Sequence, residues 1–221
     1  MSWDFKKEIG RKFIHLLSIF ILIGYLFFAS TFNHRFALFI LAFFLILSIE
    51  FEYFRIETGR KLPVIHHLWK YKRASEKNRL GGEVFFLIGA IICFAIFDLR
   101  IAAAAMLMTT FGDMSAALVG KKFGKIKVMK NRTLEGIIAQ LFVDLVIGFF
   151  IIRTLVDGQI WWTFSLTPIG QPLWGVIIGM AIIATLVETL VYKMDDNLLV
   201  PLFAGFAGQV ILFFLSLTFI Y

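Results

Sequence analysis

Cysteine is nearly absent from this 221-residue chain. Its single Cys93 excludes a disulfide framework and any multi-cysteine metal site, and reads as a small buried apolar residue. Charge is scarce as well: 17% of residues are charged, against about 25% in a soluble domain. Four prolines and 17 glycines exclude a collagen-like or linker-dominated chain. What is abundant is apolar surface, with 60% hydrophobic residues, 17% aromatic residues and a mean hydropathy of +0.86. That excess is too large for a water-soluble surface and excludes disorder, which needs low hydrophobicity. The expectation is an all-α, polytopic integral membrane bundle, with residues 1–221 forming one domain.

A transmembrane helix needs about 20 mostly apolar residues. Seven candidate spans follow, at roughly 13–32, 36–54, 84–98, 100–119, 134–156, 173–192 and 198–219, the third of them short. Lysine and arginine number 4 in residues 1–12, 8 in 55–83, 6 in 120–133 and 1 at Lys193, which is 19 of 22. The loop 157–172 has neither. Seven helices with a cytoplasmic N-terminus put every basic segment inside, as the positive-inside rule requires. The apolar run near the start is longer than a signal-peptide core of about 7–15 residues and contains His15, so it reads as a retained span. In the 55–83 segment, Val64, Leu68 and Tyr71 share one helical face beside Lys70, Lys72 and Arg73. That pattern suits an interfacial amphipathic helix or a solvated basic loop. No internal repeat supports a repeat-built transporter. The net charge of +7 lies in gaps between apolar runs, which points to lipid headgroups or an anionic soluble substrate rather than nucleic acid.

Ionisable groups are costly inside hydrocarbon, so their positions carry information. His15, Glu50, Glu83, Asp113 and Glu188 lie toward the basic ends of their spans, with Asp195 and Asp196 in an adjacent short loop. Only Asp144 lies near mid-span, one turn after Gln140, and a polar pair inside the bundle is expected there. One-sided clustering suits an active site at the membrane surface better than a conduit.

Three stretches stand out. Gly112-Asp113 opens a small-residue run that continues through Gly120, Lys121, Lys122, Gly124 and Lys125. It reads either as a packing face with an ordinary basic loop, or as a loop whose glycines admit phosphate oxygens and whose lysines offer charge to them. Lys130-Asn131-Arg132-Thr133-Leu134-Glu135-Gly136 opens the fifth span. Thr133 is a helix N-cap candidate, and a helix start flanked by Lys130 and Arg132 is an anion site. Glu188 precedes Lys193-Met194-Asp195-Asp196-Asn197. Glu188 and Asp195 share a face if the helix continues, and three acids with an amide suit Mg²⁺. A turn with Asn197 capping the last helix is the plain alternative. Carboxylates for a metal beside bases for phosphate are what phosphoryl transfer needs. Walker A, GxGxxG, HExxH and soluble-kinase signatures are all missing.

In this order the motifs resemble those of membrane-embedded CTP-dependent lipid kinases: the polyprenol (dolichol) kinases, phytol and farnesol kinases, and fungal CTP-dependent diacylglycerol kinase. Arg11-Lys12-Phe13-Ile14-His15 resembles the family's Arg-Lys-x-x-His. Gly112-Asp113 through Gly120 and Gly124 resembles its Gly-Asp-x-x-Ala-x-x-x-Gly-x-x-x-Gly. Thr133-Leu134-Glu135-Gly136 matches a (Ser/Thr)-x-Glu-Gly run, with Lys130 two residues further from it than the pattern has, so either Lys130 or Arg132 takes the basic role. Glu188 and Asp195-Asp196-Asn197-Leu198 through Pro201 resemble Glu-x(6)-Asp-Asp-Asn-Leu-x-x-Pro.

The resemblance implies transfer of the CTP γ-phosphoryl to a lipid hydroxyl, with a polyprenol such as dolichol the expected acceptor. Diacylglycerol or phytol kinase, a CTP:phosphatidate cytidylyltransferase-like enzyme and a seven-helix transporter are the alternatives. It implies that Asp113, Asp195, Asp196 and Glu188 hold Mg²⁺. Arg11, Lys12, Gly112, Lys121, Lys122, Lys130, Arg132, Thr133, Glu135, Gly136 and Asn197 would bind the nucleotide. Asp113, Asp195 or His15 would orient or deprotonate the hydroxyl. CTP is expected from the cytoplasm and the lipid alcohol from the bilayer. Gly175-x-x-x-Gly179 permits close helix packing, within one chain or in a homo-oligomer.

Overall fold

The computed structural model describes residue 16 and residues 18–58, 79–129, 132–153, 171–191 and 194–218. Arg11, Lys12, His15, the expected interfacial helix around Val64–Tyr71, Lys130 and Lys193 lie outside the described residues. Contacts divide the chain into two compact units, Met1–Ile91 and Ile92–Tyr221.

In the first unit, α1 (Ser18–Thr31) and α2 (His34–Thr58) form a hairpin joined by Phe32 and Asn33. Asn33 caps α2 by accepting the Phe36 N–H at 2.8 Å, and Tyr25 Oη meets His34 Nδ1 at 2.6 Å across the turn. Near the end of α2, the buried Glu52 accepts Arg55 Nε at 3.0 Å and Nη2 at 2.7 Å. The same carboxylate accepts the Gly81 N–H at 2.8 Å, while Arg55 also donates to the Arg79 carbonyl at 2.7 Å. The pair therefore ties the end of α2 to Arg79 and Gly81, just ahead of α3 (Gly82–Ile96). Cys93 on α3 is fully buried, as expected of a small apolar residue.

The second unit begins with one long helical column. It comprises α4 (Leu99–Leu107), a π-helical turn (Met108–Gly112) and α5 (Asp113–Phe123). Within its apolar window 61% of residues are buried, against 22% for Leu134–Ile151 and 28% for Asp196–Ser216, so this column is the centre of the unit. Alanines 102–105 let neighbours approach it closely. The column runs four residues past the expected span, which places Gly120, Lys121 and Lys122 in the last helical turn instead of a loop.

A two-stranded antiparallel hairpin follows, β1 (Lys127–Met129) and β2 (Arg132–Thr133), pairing Lys127 with Thr133 and Met129 with Arg132. Among the described residues, the other β pairing is an isolated antiparallel bridge between Arg153 and Pro172. Then come α6 (Leu134–Ile151), α7 (Trp174–Leu190) and α8 (Asp196–Thr218). The core joins Ile101 and Met108 of the column to Ile177 and Met180 of α7 and Val200 and Ala204 of α8.

Among the described residues, four stretches are long and apolar enough to cross a membrane: His34–Glu57, Leu99–Phe123, Leu134–Ile151 and Asp196–Ser216. Ile19–Thr31, Gly82–Ile96 and Trp174–Leu190 are shorter apolar helices. Each expected span thus has an apolar helix at its place. The helices turn large apolar side chains outward, as in an integral membrane protein; α6 shows it most clearly. Gly136, Gln140, Asp144 and Gly148 form its buried stripe, while Ile138, Phe142, Val146 and Phe150 are exposed on the other side. This inverts the amphipathicity of a soluble helix: the polar residues point in and the apolar ones face outward.

Candidate functional site

Thr133 opens α6 as its N-cap. Its Oγ1 accepts the Gly136 N–H at 3.3 Å and donates to the Gly120 carbonyl at 3.4 Å. That link brings α6 against α5, and glycines set the distance. A Cβ at Gly136 would sit 2.7 Å from the Ala116 carbonyl oxygen and 3.2 Å from the Gly120 Cα. A Cβ at Gly120 would sit 2.8 Å from Thr133 Oγ1, and one at Gly124 would collide with the Gly120 carbonyl. In the structure these glycines serve helix contact. Gly136→Ala is expected to cost about 1–3 kcal/mol, because backbone atoms cannot swing aside. Gly24→Ala, where nothing lies within 4 Å of the new Cβ, should gain about 0.5–1 kcal/mol as an ordinary helix substitution. Thermal unfolding in detergent compares the two.

Glu135 does not reach into the cluster of acids. Its Oε1 accepts the Lys125 N–H at 2.8 Å and the Ile126 N–H at 3.3 Å, holding the loop after α5 against the first turn of α6. Lys122, Phe123, Gly124, Lys125 and Glu135 line a cleft of about 450 Å³ there. Lys121 and Lys122 are exposed on the last turn of α5.

The geometric centre of the site is Arg132. Its Nη1 donates to Glu188 Oε1 at 2.6 Å and lies 3.9 Å from Asp113 Oδ1, while Nη2 lies 3.7 Å from Asp196 Oδ2. Four separate stretches thus meet: the start of α5, the hairpin, the end of α7 and the start of α8. Burial opposes the Arg132 charge, but Glu188, then Asp113 and Asp196, more than offset it and hold the guanidinium proton above its ordinary affinity. Glu188 is 1% exposed, and its second oxygen accepts Gln140 Nε2 at 2.6 Å. Below this pair lies a buried polar layer. Asp144 is fully buried and accepts Thr185 Oγ1 at 3.5 Å. Gln140 faces Asp144 as expected of a polar pair inside the bundle, and it also donates to Glu188, which ties the buried layer to the site.

The residue before Asp113 is small for a visible reason. A Cβ at Gly112 would lie 2.7 Å from Asp144 Oδ1 and 3.2 Å from the Gln140 side chain. The π-turn ending at Gly112 sets the register from which Asp113 enters the site, a frequent use of such turns.

The Glu188–Asp195 pair is not one helical face. α7 ends at Leu190, and Asp195 instead starts α8, its Oδ1 accepting the Asn197 N–H at 3.0 Å and Asn197 Nδ2 at 2.8 Å. The capping residue is Asp195, with Asn197 buried in the first turn. Pro201 lies inside α8 and has no N–H, which deprives the Asn197 carbonyl of its helical donor.

Among the described residues, no three His, Cys, Asp or Glu side chains converge as a ready cation cage. Arg132 stands where Asp113, Glu188 and Asp196 meet. A magnesium ion still fits this donor set. Asp113 and Asp196 approach Arg132 beyond hydrogen-bond length, and a carboxylate offers about four acceptor positions. Mg²⁺ typically takes one or two carboxylates and completes its shell with water and substrate phosphates. Glu188 fits less well, since each of its oxygens already holds a 2.6 Å hydrogen bond.

Comparison with known proteins adds the following. The chain is 31% identical over 140 residues to CTP-dependent diacylglycerol kinase 1 of Schizosaccharomyces pombe, covering 58% of this chain and 59% of that protein. It is 25% identical over 218 residues to CTP-dependent diacylglycerol kinase 1 of Saccharomyces cerevisiae, 90% of this chain and 72% of that protein. It is 24% identical over 206 residues to a probable chloroplastic phytol kinase of Triticum aestivum, 89% of this chain and 65% of that protein. The chain thus spans about three fifths of the S. pombe relative. No family model and no solved structure matches. The relatives carry the names of the lipid-kinase family that the motifs resemble.

Proposed function

We propose that this relative of the CTP-dependent diacylglycerol and phytol kinases transfers the γ-phosphoryl group of CTP to the hydroxyl of a membrane lipid, giving a lipid phosphate and CDP. The observation that carries the reading is the gathering of Asp113, Glu188 and Asp196 around Arg132 at one end of apolar helices. Asp113 and Asp196 would hold Mg²⁺, which would supply positive charge to neutralise the nucleotide phosphates. Glu188 and Gln140 hold Arg132 in place, and its guanidinium faces the charge that develops on the transferred group. Lys121, Lys122 and Lys130, with Arg11 and Lys12, supply further positive charge for the triphosphate. Asn197 contacts a phosphate or the metal, through its side chain or its carbonyl. Asp113, Asp195 or His15 orients the acceptor hydroxyl. Seven spans with the N-terminus and the site on the cytoplasmic side complete the reading.

The acceptor is a lipid alcohol. Relatives named for diacylglycerol and phytol support those two substrates at least as well as the polyprenol expected from sequence. Purified protein given γ-labelled CTP with diacylglycerol, phytol or dolichol in mixed micelles will carry label into the lipid phase. The preferred acceptor is the one with the highest kcat/KM, and no labelled lipid with any of the three contradicts the reading.

A further inference from the structure

We propose that residues 123–129 form a membrane-surface anchor whose partner is the anionic headgroup layer of the chain's own bilayer. This goes beyond the kinase reading and does not rest on it. Phe123 and Ile126 are each 57% exposed, Val128 is 50% exposed and Met129 is 37% exposed. Lys125 and Lys127 stand among them, also exposed. All three residues of β1 are exposed, so neither face of the strand packs on a core.

Apolar side chains in water favour burial, and connectivity names what is near. The segment joins Leu99–Phe123 to Leu134–Ile151, both long and apolar enough to cross a membrane, and ten residues separate them. The segment is also tied down. The Leu134 N–H donates to the Ile126 carbonyl at 2.9 Å, and Glu135 accepts the Lys125 and Ile126 N–H groups. It is therefore held at the level of the first turn of α6, the edge of the hydrocarbon.

Charge selects the occupant. From Met114 through Leu134 there is no acidic residue, against six lysines and arginines. Lysine and apolar residues in alternation match a surface with phosphate outside and acyl chains beneath. A nucleotide would satisfy the lysines and leave Ile126 and Val128 in water. Because Met129 pairs with Arg132 across the hairpin, seating this strip also steadies the strand that carries the site's guanidinium.

The test places a polarity-sensitive fluorophore on a Val128→Cys variant. Fully buried Cys93 stays in place, and the unsubstituted chain serves as the labelling blank. The protein is reconstituted in phosphatidylcholine vesicles with and without phosphatidylglycerol. Blue-shifted emission and protection from aqueous iodide are expected with phosphatidylglycerol. Lys125→Gln and Lys127→Gln should each reduce the ratio of seated to unseated label about fivefold. A label that stays water-accessible in both vesicles overturns the proposal. So does protection that appears only on adding CTP, which would make the strip a nucleotide loop, or protection equal in detergent alone, which would mean a protein contact.

Discussion

Replacing Arg132 with methionine will destabilise the protein and abolish its activity, and a second substitution, Glu188→Gln, will restore the stability alone. Arg132 is the charge partner of a Glu188 side chain that is 1% exposed. Removing it strands a carboxylate where water cannot reach. Breaking a fully buried pair costs about 3–5 kcal/mol, and since Arg132 is 23% exposed itself the expected loss is nearer 2–3 kcal/mol. Neutralising Glu188 removes the stranded charge, while the amide can still meet Gln140. Phosphoryl transfer should fall about a thousandfold in both variants, the scale at which an arginine facing the transferred group acts. Arg132→Lys keeps the charge but cannot span Glu188, Asp113 and Asp196 with one planar fork, so it should recover stability more than turnover. Unfolding midpoints in detergent with single-turnover rates separate the two effects. Equal rates in Arg132→Met and the parent chain would remove Arg132 from the mechanism.

Asp113→Asn and Asp196→Asn should each lower turnover by about a hundred- to a thousandfold, the scale of one preorganised electrostatic contact. Both side chains keep their shape, and both lie beyond hydrogen-bond distance from Arg132. Glu188 still holds Arg132 at 2.6 Å, so the fold should survive with its unfolding midpoint lowered less than in Arg132→Met. The apparent requirement for Mg²⁺ should rise in both variants. Gln140→Leu behaves differently if Gln140 acts through Glu188. It should lower stability and turnover together, with the Mg²⁺ requirement unchanged. Near-normal turnover in Asp113→Asn or Asp196→Asn would sink the metal assignment.

Much of this site was readable from sequence because charge in an apolar chain is expensive and therefore placed for a reason. Asp113, Arg132, Glu188 and Asp196 all stand out in the sequence as charges beside apolar runs, and the structure brings them together. Arg132 was one of two candidates for the basic role, and it stands at the centre. Residue type did not reveal what the glycines do. A glycine that admits a phosphate and one that admits a neighbouring helix look alike, and only the distance from Gly136 to Ala116 tells them apart. The heptad spacing from Glu188 to Asp195 does not place the two on one face because extended backbone at Val191 ends the helix without proline or glycine to announce it. The role of Gln140 had a signal in plain view. Gly136, Gln140, Asp144 and Gly148 recur every fourth residue in an otherwise apolar helix, which marks a buried polar stripe in a membrane span. The π-turn before Asp113 had none, since one extra residue in a helical column leaves the apolar pattern nearly unchanged.

The measurement that bears most directly on the central claim follows two phosphorus atoms of CTP. Purified protein is given CTP labelled at the α or the γ position, together with the preferred lipid alcohol and Mg²⁺. Phosphoryl transfer puts the γ label in the lipid, leaves the α label in CDP and releases no pyrophosphate. An α label in the lipid with pyrophosphate in solution would make the protein a cytidylyltransferase and contradict the account.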